Sequence, residues 1–418
     1  MPTCLYVGVD AHAKNNVCCF LDQQGRTVIK TFPIVNNLSG AKELENRIDL
    51  VMKEHCFDEL KIATEAVSFL GLHLIDYLAS SELLAKYSPI LYQLNPKITA
   101  GFKKAHPDKD KTDTTDAFVV ADRIRFGRLP EPYEDSQPYF PLKRLTRYRY
   151  HLICNIAREK NYFLTHLFLK YSAFLEIKPF GDIFGKAGLA TITEFFSADE
   201  LASMNIEELV EFLVKESKNR FRNPTAVAEK IKEAARESYK IGPALANSVN
   251  LILASTIENI RALTLCLKEI NNAIAKEFKA FPNTLESVDG LGPVYSAGIF
   301  AEIGNVKRFS SQAKIAKFAG LTWRRYASGK FNAEETRMTK TGNQYLRYYL
   351  IEAANSLRVH NEEYRLYYQS KYKEVPKHKH KRAIALTARK LVRLVFALLT
   401  KNQPYQQKAE FSKNNINF

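Results

Sequence analysis

No apolar run in the 418-residue sequence is long enough to span a bilayer, and residues 1–6 lack the charged-then-apolar layout of a secretion signal. Both absences point to a cytoplasmic chain with no membrane partner. The six cysteines, Cys4, Cys18, Cys19, Cys56, Cys154 and Cys266, form no CxxC and have no histidine at zinc spacing. They read as reduced thiols, which excludes a disulfide framework and a zinc ribbon. Negative charge is short: 61 Lys and Arg face 45 Asp and Glu, a formal net charge of +16. With a pI near 9.4 the natural partner is a polyanion, since each phosphate neutralised releases counterions. Charge alone does not separate DNA from RNA or an anionic membrane, and a merely basic globular protein stays open.

A chain of 418 residues is too long for one ordinary core, so more than one domain is expected. Short apolar runs at 5–10, 17–21 and 27–34, joined by tight turns, predict a three-stranded antiparallel meander. Helical periodicity follows at 37–54 and 70–80, with further strands at 60–64 and 89–94. The fold class is therefore α/β plus all-α, opening with a mixed sheet resembling ribonuclease H over residues 1–135. Residues 136–280 are helical in pattern: 142–175, 206–216 and one run from 225 to 278 with coiled-coil spacing, broken near 179–181. That region is expected to space and dimerise the protein. A third, mostly helical domain over 281–405 begins with a helix-hairpin-helix layout at 288–297, before a polar tail at 406–418. There Gly290 and Gly292 permit a tight turn, and the following helix start offers N–H groups to a phosphate.

Two groups of residues suggest chemistry. Asp10 ends the first strand and Glu65 the fourth, where open α/β sheets place ligands. Asp113 and Asp116 open an apolar helix at 114–126, three apart and so on one face. Adjacent carboxylates repel unless a cation lies between them. Two divalent ions about 3.5–4 Å apart would activate a nucleophile on a phosphodiester and stabilise its leaving oxygen, and Mg2+ suits an all-oxygen set. The plainer reading makes Asp113 and Asp116 first-turn acids favoured by the helix dipole. Strand-end carboxylates have no such role, while Asp108, Asp110 and Asp122 rank lower as ligands. The second group is Ser328 among Arg324, Arg325 and Lys330, followed by Lys340 and Arg347. A serine attacks phosphorus only if its proton leaves and cations meet the developing charge. The motif holds no base, so a basic loop that grips phosphate is the competing reading. A basic run at 377–382, continued by Arg389, Lys390 and Arg393, adds a phosphate-contact face interleaved with tyrosines.

The order of these blocks carries more than any one of them. Asp10, Glu65, the Lys-Thr-Asp-Thr-Thr-Asp-Ala of 111–117, a helical middle, Ala-Ser-Gly-Lys at 327–330 and Lys-Thr-Gly-Asn-Gln-Tyr-Leu-Arg at 340–347 follow in turn. The series resembles the DEDD-type transposases of insertion sequences, relatives of the Piv DNA invertases that include bridge-RNA-guided recombinases. The resemblance implies a RuvC-like domain whose tetrad Asp10, Glu65, Asp113 and Asp116 binds Mg2+, and a C-terminal domain whose nucleophile is Ser328. It implies donor and target DNA as substrates and a structured guide RNA as partner. It also implies dimers or tetramers in which the acidic and serine halves come from different protomers. Lys111, Gly290, Gly292, Arg324, Arg325, Lys330, Lys340 and Arg347 are then expected on nucleic acid. Two alternatives remain: a RuvC-like junction nuclease using metal-activated water, and a decayed transposase that only binds nucleic acid.

Overall fold

Leu5, Val7 and Val9 alternate with Tyr6, Gly8 and Asp10, and this period of two lays β1 (Cys4–Ala11) down the middle of a five-stranded sheet. The computed structural model describes residues 3–66, 69–104, 112–127, 129–130, 132–133, 139–323, 327–328, 331–332 and 338–406, with backbone alone at 327–328 and 331–332. The chain divides into two compact units, Met1–Pro138 and Tyr139–Phe418.

In the first unit β1 is joined by β2 (Asn15–Leu21), β3 (Thr27–Val35), β4 (Glu59–Glu65) and β5 (Ile90–Leu94) in the order β3-β2-β1-β4-β5. The first three strands are the expected antiparallel meander, and β4 and β5 add in parallel. Helices α1 (Leu38–Glu54) and α2 (Leu72–Ala79) cover one face, burying Leu44, Ile48 and Leu78 against Val7, Phe20 and Ile62. After α3 (Pro96–Lys103), which the periodicity does not announce, α4 (Asp113–Arg125) crosses the other face. There Ala117 and Ala121 meet Val17, Cys19 and Leu21, while Val120 and Ile124 meet Ala63 and Leu94.

Among the described residues the second unit is mostly helical, with one two-stranded sheet, and holds two cores. Helices α5 (Phe140–Lys170) and α6 (Pro243–Phe278) run antiparallel: Arg149 Nε donates to Asn271 Oδ1 at 2.7 Å near one end, and Leu167 and Leu253 share a core at the other. Two expectations need correction. The helix expected over 142–175 stops at Lys170, and the run expected over 225–278 is two helices, Pro224–Arg236 and α6. Gly242 and Pro243 explain the second break, because proline lacks an N–H and suits only a helix's first turn. By length and composition α6 is apolar enough to cross a membrane, contrary to the reading from apolar runs. Part of its apolar surface forms a seam: Val249, Leu253, Ile257, Ile274 and Phe278 are buried in the two cores.

Helices Lys186–Glu194, Ala198–Ser203, Ile206–Ser217 and Pro224–Arg236 close the first core around Phe163, Leu209 and Ile231. The second core joins α7 (Pro293–Ile303), α8 (Gln312–Ala319), α9 (Gln344–His360) and α10 (Lys379–Lys401) around Ile299, Ala316, Leu350 and Val392. Ahead of α7, the expected hairpin begins with a single 3-10 turn, Leu285–Ser287, in place of a helix.

One close approach sets the first unit. A Cβ on Gly8 would lie 2.3 Å from both the carbonyl oxygen of Ala117 and the amide of Ala121. Only glycine lets the backbone of α4 rest on β1 there. Gly8→Ala is therefore expected to destabilise the protein by about 2–4 kcal/mol, seen as a lower melting temperature, because the added methyl forces α4 off the sheet. An unchanged melting temperature would contradict this packing.

Candidate active site

The pairing Val9↔Thr64 between parallel strands sets Asp10 and Glu65 one residue further on, side by side at the same sheet edge. Both belong to the face that α4 crosses. Thr112 caps α4, its hydroxyl accepting from the Thr115 amide at 3.3 Å, so neither aspartate of the first turn is needed as a cap. Asp113 faces His12 instead, and Asp116 pairs with Lys103 at the end of α3. The reading of the two aspartates as mere first-turn acids thus leaves their partners unexplained.

His12 is the hub of the near side. Its Nε2 lies 3.1 Å from Asp10 Oδ2 and 3.6 Å from Asp113 Oδ1. Asp10, His12 and Asp113 each present a ligand atom, all within 4.8 Å of one another. The histidine backbone is held as well: its amide donates to Asn15 O at 3.1 Å and its carbonyl accepts from Asn36 Nδ2 at 2.8 Å. Asp113 is 66% exposed and Asp10 only 15%, so the cluster opens to solvent on the α4 side.

Burial lifts the Asp10 carboxyl above its ordinary value; His12 opposes this, and Asp116 and Asp113 add to it. Burial likewise lifts Glu65, opposed by a hydrogen bond from Thr99 and by Lys103, and reinforced by Asp10 and Asp116. Asp10 thus feels Asp113 and Asp116, and Glu65 feels Asp10 and Asp116. The ligand atoms of Asp10, His12 and Asp113 are close enough to share one divalent cation, which would offset the repulsion between the carboxylates.

Of the other sequence candidates, Lys111, Arg324, Arg325 and Lys330 lie outside the described residues. Ser328 belongs to the second unit, in a two-residue strand Ala327–Ser328 paired with Phe331–Asn332. Lys340 is exposed, with left-handed backbone at φ 50°. Arg347 is half-buried and turned inward, its Nη1 donating to Ala319 O at 2.9 Å and Lys340 O at 3.1 Å. Gly290 makes its turn at φ 94°, and Gly292 precedes α7, whose first residue, Pro293, has no N–H to offer. Sequence reasoning missed His12, Lys103 and Thr99. A histidine two residues past a strand-end aspartate was a usable signal for the first; nothing in the spacing announces the others.

Two family models match the chain: residues 7–171 match one described as transposase, and 283–369 match the transposase IS116/IS110/IS902 family. An uncharacterized 44.8 kDa protein of insertion element IS116 from Streptomyces clavuligerus is 24% identical over 399 residues, 94% of each chain. Among solved structures, T. thermophilus RuvC in complex with Holliday junction substrate aligns with 32% of this chain and all of its own, at 10% identity. Its TM-score of 0.24 is too low for the likeness to bear on this chain's chemistry.

The raised carboxyls give a pH prediction with a definite sign. A group that holds its proton more tightly folded than unfolded favours the fold at low pH, and that contribution is lost as pH rises through its folded value. At pH 7 without metal, Asp10 and Glu65 therefore weigh against folding. Asp10→Asn and Glu65→Gln should each raise the melting temperature in EDTA by about 1–3 °C at pH 7. The gain should shrink toward zero below about pH 3, where the wild-type carboxyls are protonated in both states. Thermal denaturation across pH reads this directly, and a lower melting temperature for both variants at pH 7 would contradict it.

Proposed function

We propose that this chain, which matches the IS116/IS110/IS902 transposases over residues 7–171 and 283–369, cuts and rejoins DNA at the ends of an insertion sequence, with Ser328 as nucleophile and an acidic tetrad that binds Mg2+. The observation that supports the acidic half is that Asp10 and Glu65 end adjacent strands while α4 brings Asp113 close to Asp10, with burial first, and the field of Asp116 besides, raising both strand-end carboxyls. Asp10, Glu65, Asp113 and Asp116 would hold the ions. When bound, these polarise the phosphate and stabilise the departing oxygen.

The protein's own residues supply the rest. Attack of the Ser328 hydroxyl on phosphorus exchanges one ester oxygen for another. The deoxyribose hydroxyl leaves with the serine's proton, and the phosphodiester energy is kept in the phosphoserine. Attack by a hydroxyl of a second strand reverses the exchange and rejoins DNA, freeing the serine. Cationic neighbours at Arg324, Arg325 and Lys330 meet the developing charge.

The same reading extends to partners. The net charge of +16 supports contacts to donor and target DNA and to a structured RNA that supplies sequence recognition by base pairing. Leu251 and Leu265 stay exposed on α6, which supports self-association of the α5–α6 pair into dimers or tetramers.

The test is a covalent adduct. Full-length protein, given labelled DNA of the element's end with its flank and RNA transcribed from that flank, should form a protein–DNA species that survives denaturation. Ser328→Ala and Asp116→Asn should each lower its yield by on the order of 10³-fold or more, with DNA binding retained. Cleavage by Ser328→Ala at the wild-type rate would replace the serine with metal-activated water.

A further inference from the structure

Glu302 is a fully buried acidic residue at the end of α7. Arg147 of α5 answers it with two parallel bonds, Nε to Oε1 at 2.7 Å and Nη2 to Oε2 at 2.9 Å. Such a pair costs desolvation and is weak evidence of stability by itself. A third partner shows where it leads. Asn343 Nδ2 donates to Glu302 Oε2 at 2.6 Å.

A carboxylate has no proton to give, so the amide nitrogen of Asn343 must face Glu302 and its oxygen must face away. That oxygen accepts from the amides of Tyr345 at 2.9 Å and Leu346 at 3.0 Å, capping α9. The Asn343 backbone amide in turn donates to Phe318 O at 2.6 Å, at the end of α8. The segment that bears Ser328 leaves α8 and re-enters at α9, so both its ends are tied here.

Arg347 completes the tie. Its Nη1 bridges Ala319 O, just before the segment, and Lys340 O, just after it. Between them a short ladder closes the neck: the Thr339 amide donates to Thr322 O at 2.8 Å, the two threonine hydroxyls lie 3.0 Å apart, and Trp323 pairs with Met338. Gly320, at φ 70°, leaves no room for a side chain, since a Cβ would lie 2.4 Å from Thr341 O and 2.8 Å from Arg347 Nη1.

We propose that Arg347, on the helix that Glu302 and Asn343 cap, is a positioning residue: its Nη1 ties together the two ends of the segment that bears Ser328, leaving phosphate contact to other cations. The inference rests on Ser328 being the nucleophile, but the brace itself can be read without it. The experiment follows amide hydrogen exchange in neck peptides 317–323 and 338–346 of the full-length protein, beside adduct formation and DNA affinity. Arg347→Gln should speed neck exchange and slow adduct formation by on the order of 10²-fold while DNA affinity stays unchanged, because a small misplacement of a reacting group is that costly. Arg347→Lys, whose ammonium can still donate to both carbonyls, should fall between the two, and it carries the comparison if Arg347→Gln does not fold. Unchanged neck exchange in these variants would overturn the brace. Loss of DNA affinity in step with adduct, with the neck protected as in the wild type, would make Arg347 a phosphate contact. No adduct from the wild type would defeat the serine reading, and the exchange data would still decide the brace.

Discussion

The acidic site depends on how closely one helix backbone can approach one strand. With Gly8 beneath them, Ala117 and Ala121 of α4 sit directly on β1. From that contact the helix runs back toward its N-terminus over the sheet edge, carrying Asp116 and Asp113 to Asp10 and Glu65. Any larger residue at position 8 would lift the helix and part the carboxylates. The electrostatic consequence is a standing repulsion within the site, tempered by His12 and Lys103. The fold thus holds together groups that would separate if free, as expected where stability is given up for a prepared binding site.

Much of the first unit was legible in the sequence because its signals are local. Alternation along 5–10 and 17–21 announces strands, and a carboxylate at a strand end stands out against apolar neighbours. Asp113 and Asp116 were legible by their spacing alone. Lys103 was not, because its meeting with Asp116 depends on how α3 lies beside α4, a tertiary fact that no periodicity encodes. The long helical run was misjudged at one point for the opposite reason: the apolar spacing of 225–278 continues through residues 237–242, and only the Gly-Pro step at 242–243 marks the break.

Arg347 shows the limit of reading charge as contact. Placed after lysines and near a serine, it looks like a hand for phosphate. In the fold its Nη1 is occupied by backbone carbonyls, and Glu302, which holds the Asn343 cap of the same helix, lies in an apolar helix with nothing nearby in sequence to suggest a role. Basic residues in such a chain divide between those that face the polyanion and those that stiffen the scaffold presenting it. Composition counts both alike.

The antiparallel pair of long helices has a metric consequence. Leu142 lies in one core and Phe163 in the other, on a single uninterrupted helix. At about 1.5 Å per residue that separates these two side chains by roughly 32 Å along the helix, close to one turn of B-form duplex. Each residue inserted between them would add about 1.5 Å and rotate one core by about 100° relative to the other. The pair is thus a ruler with a phase, and its length can drift only in steps that restore the angle.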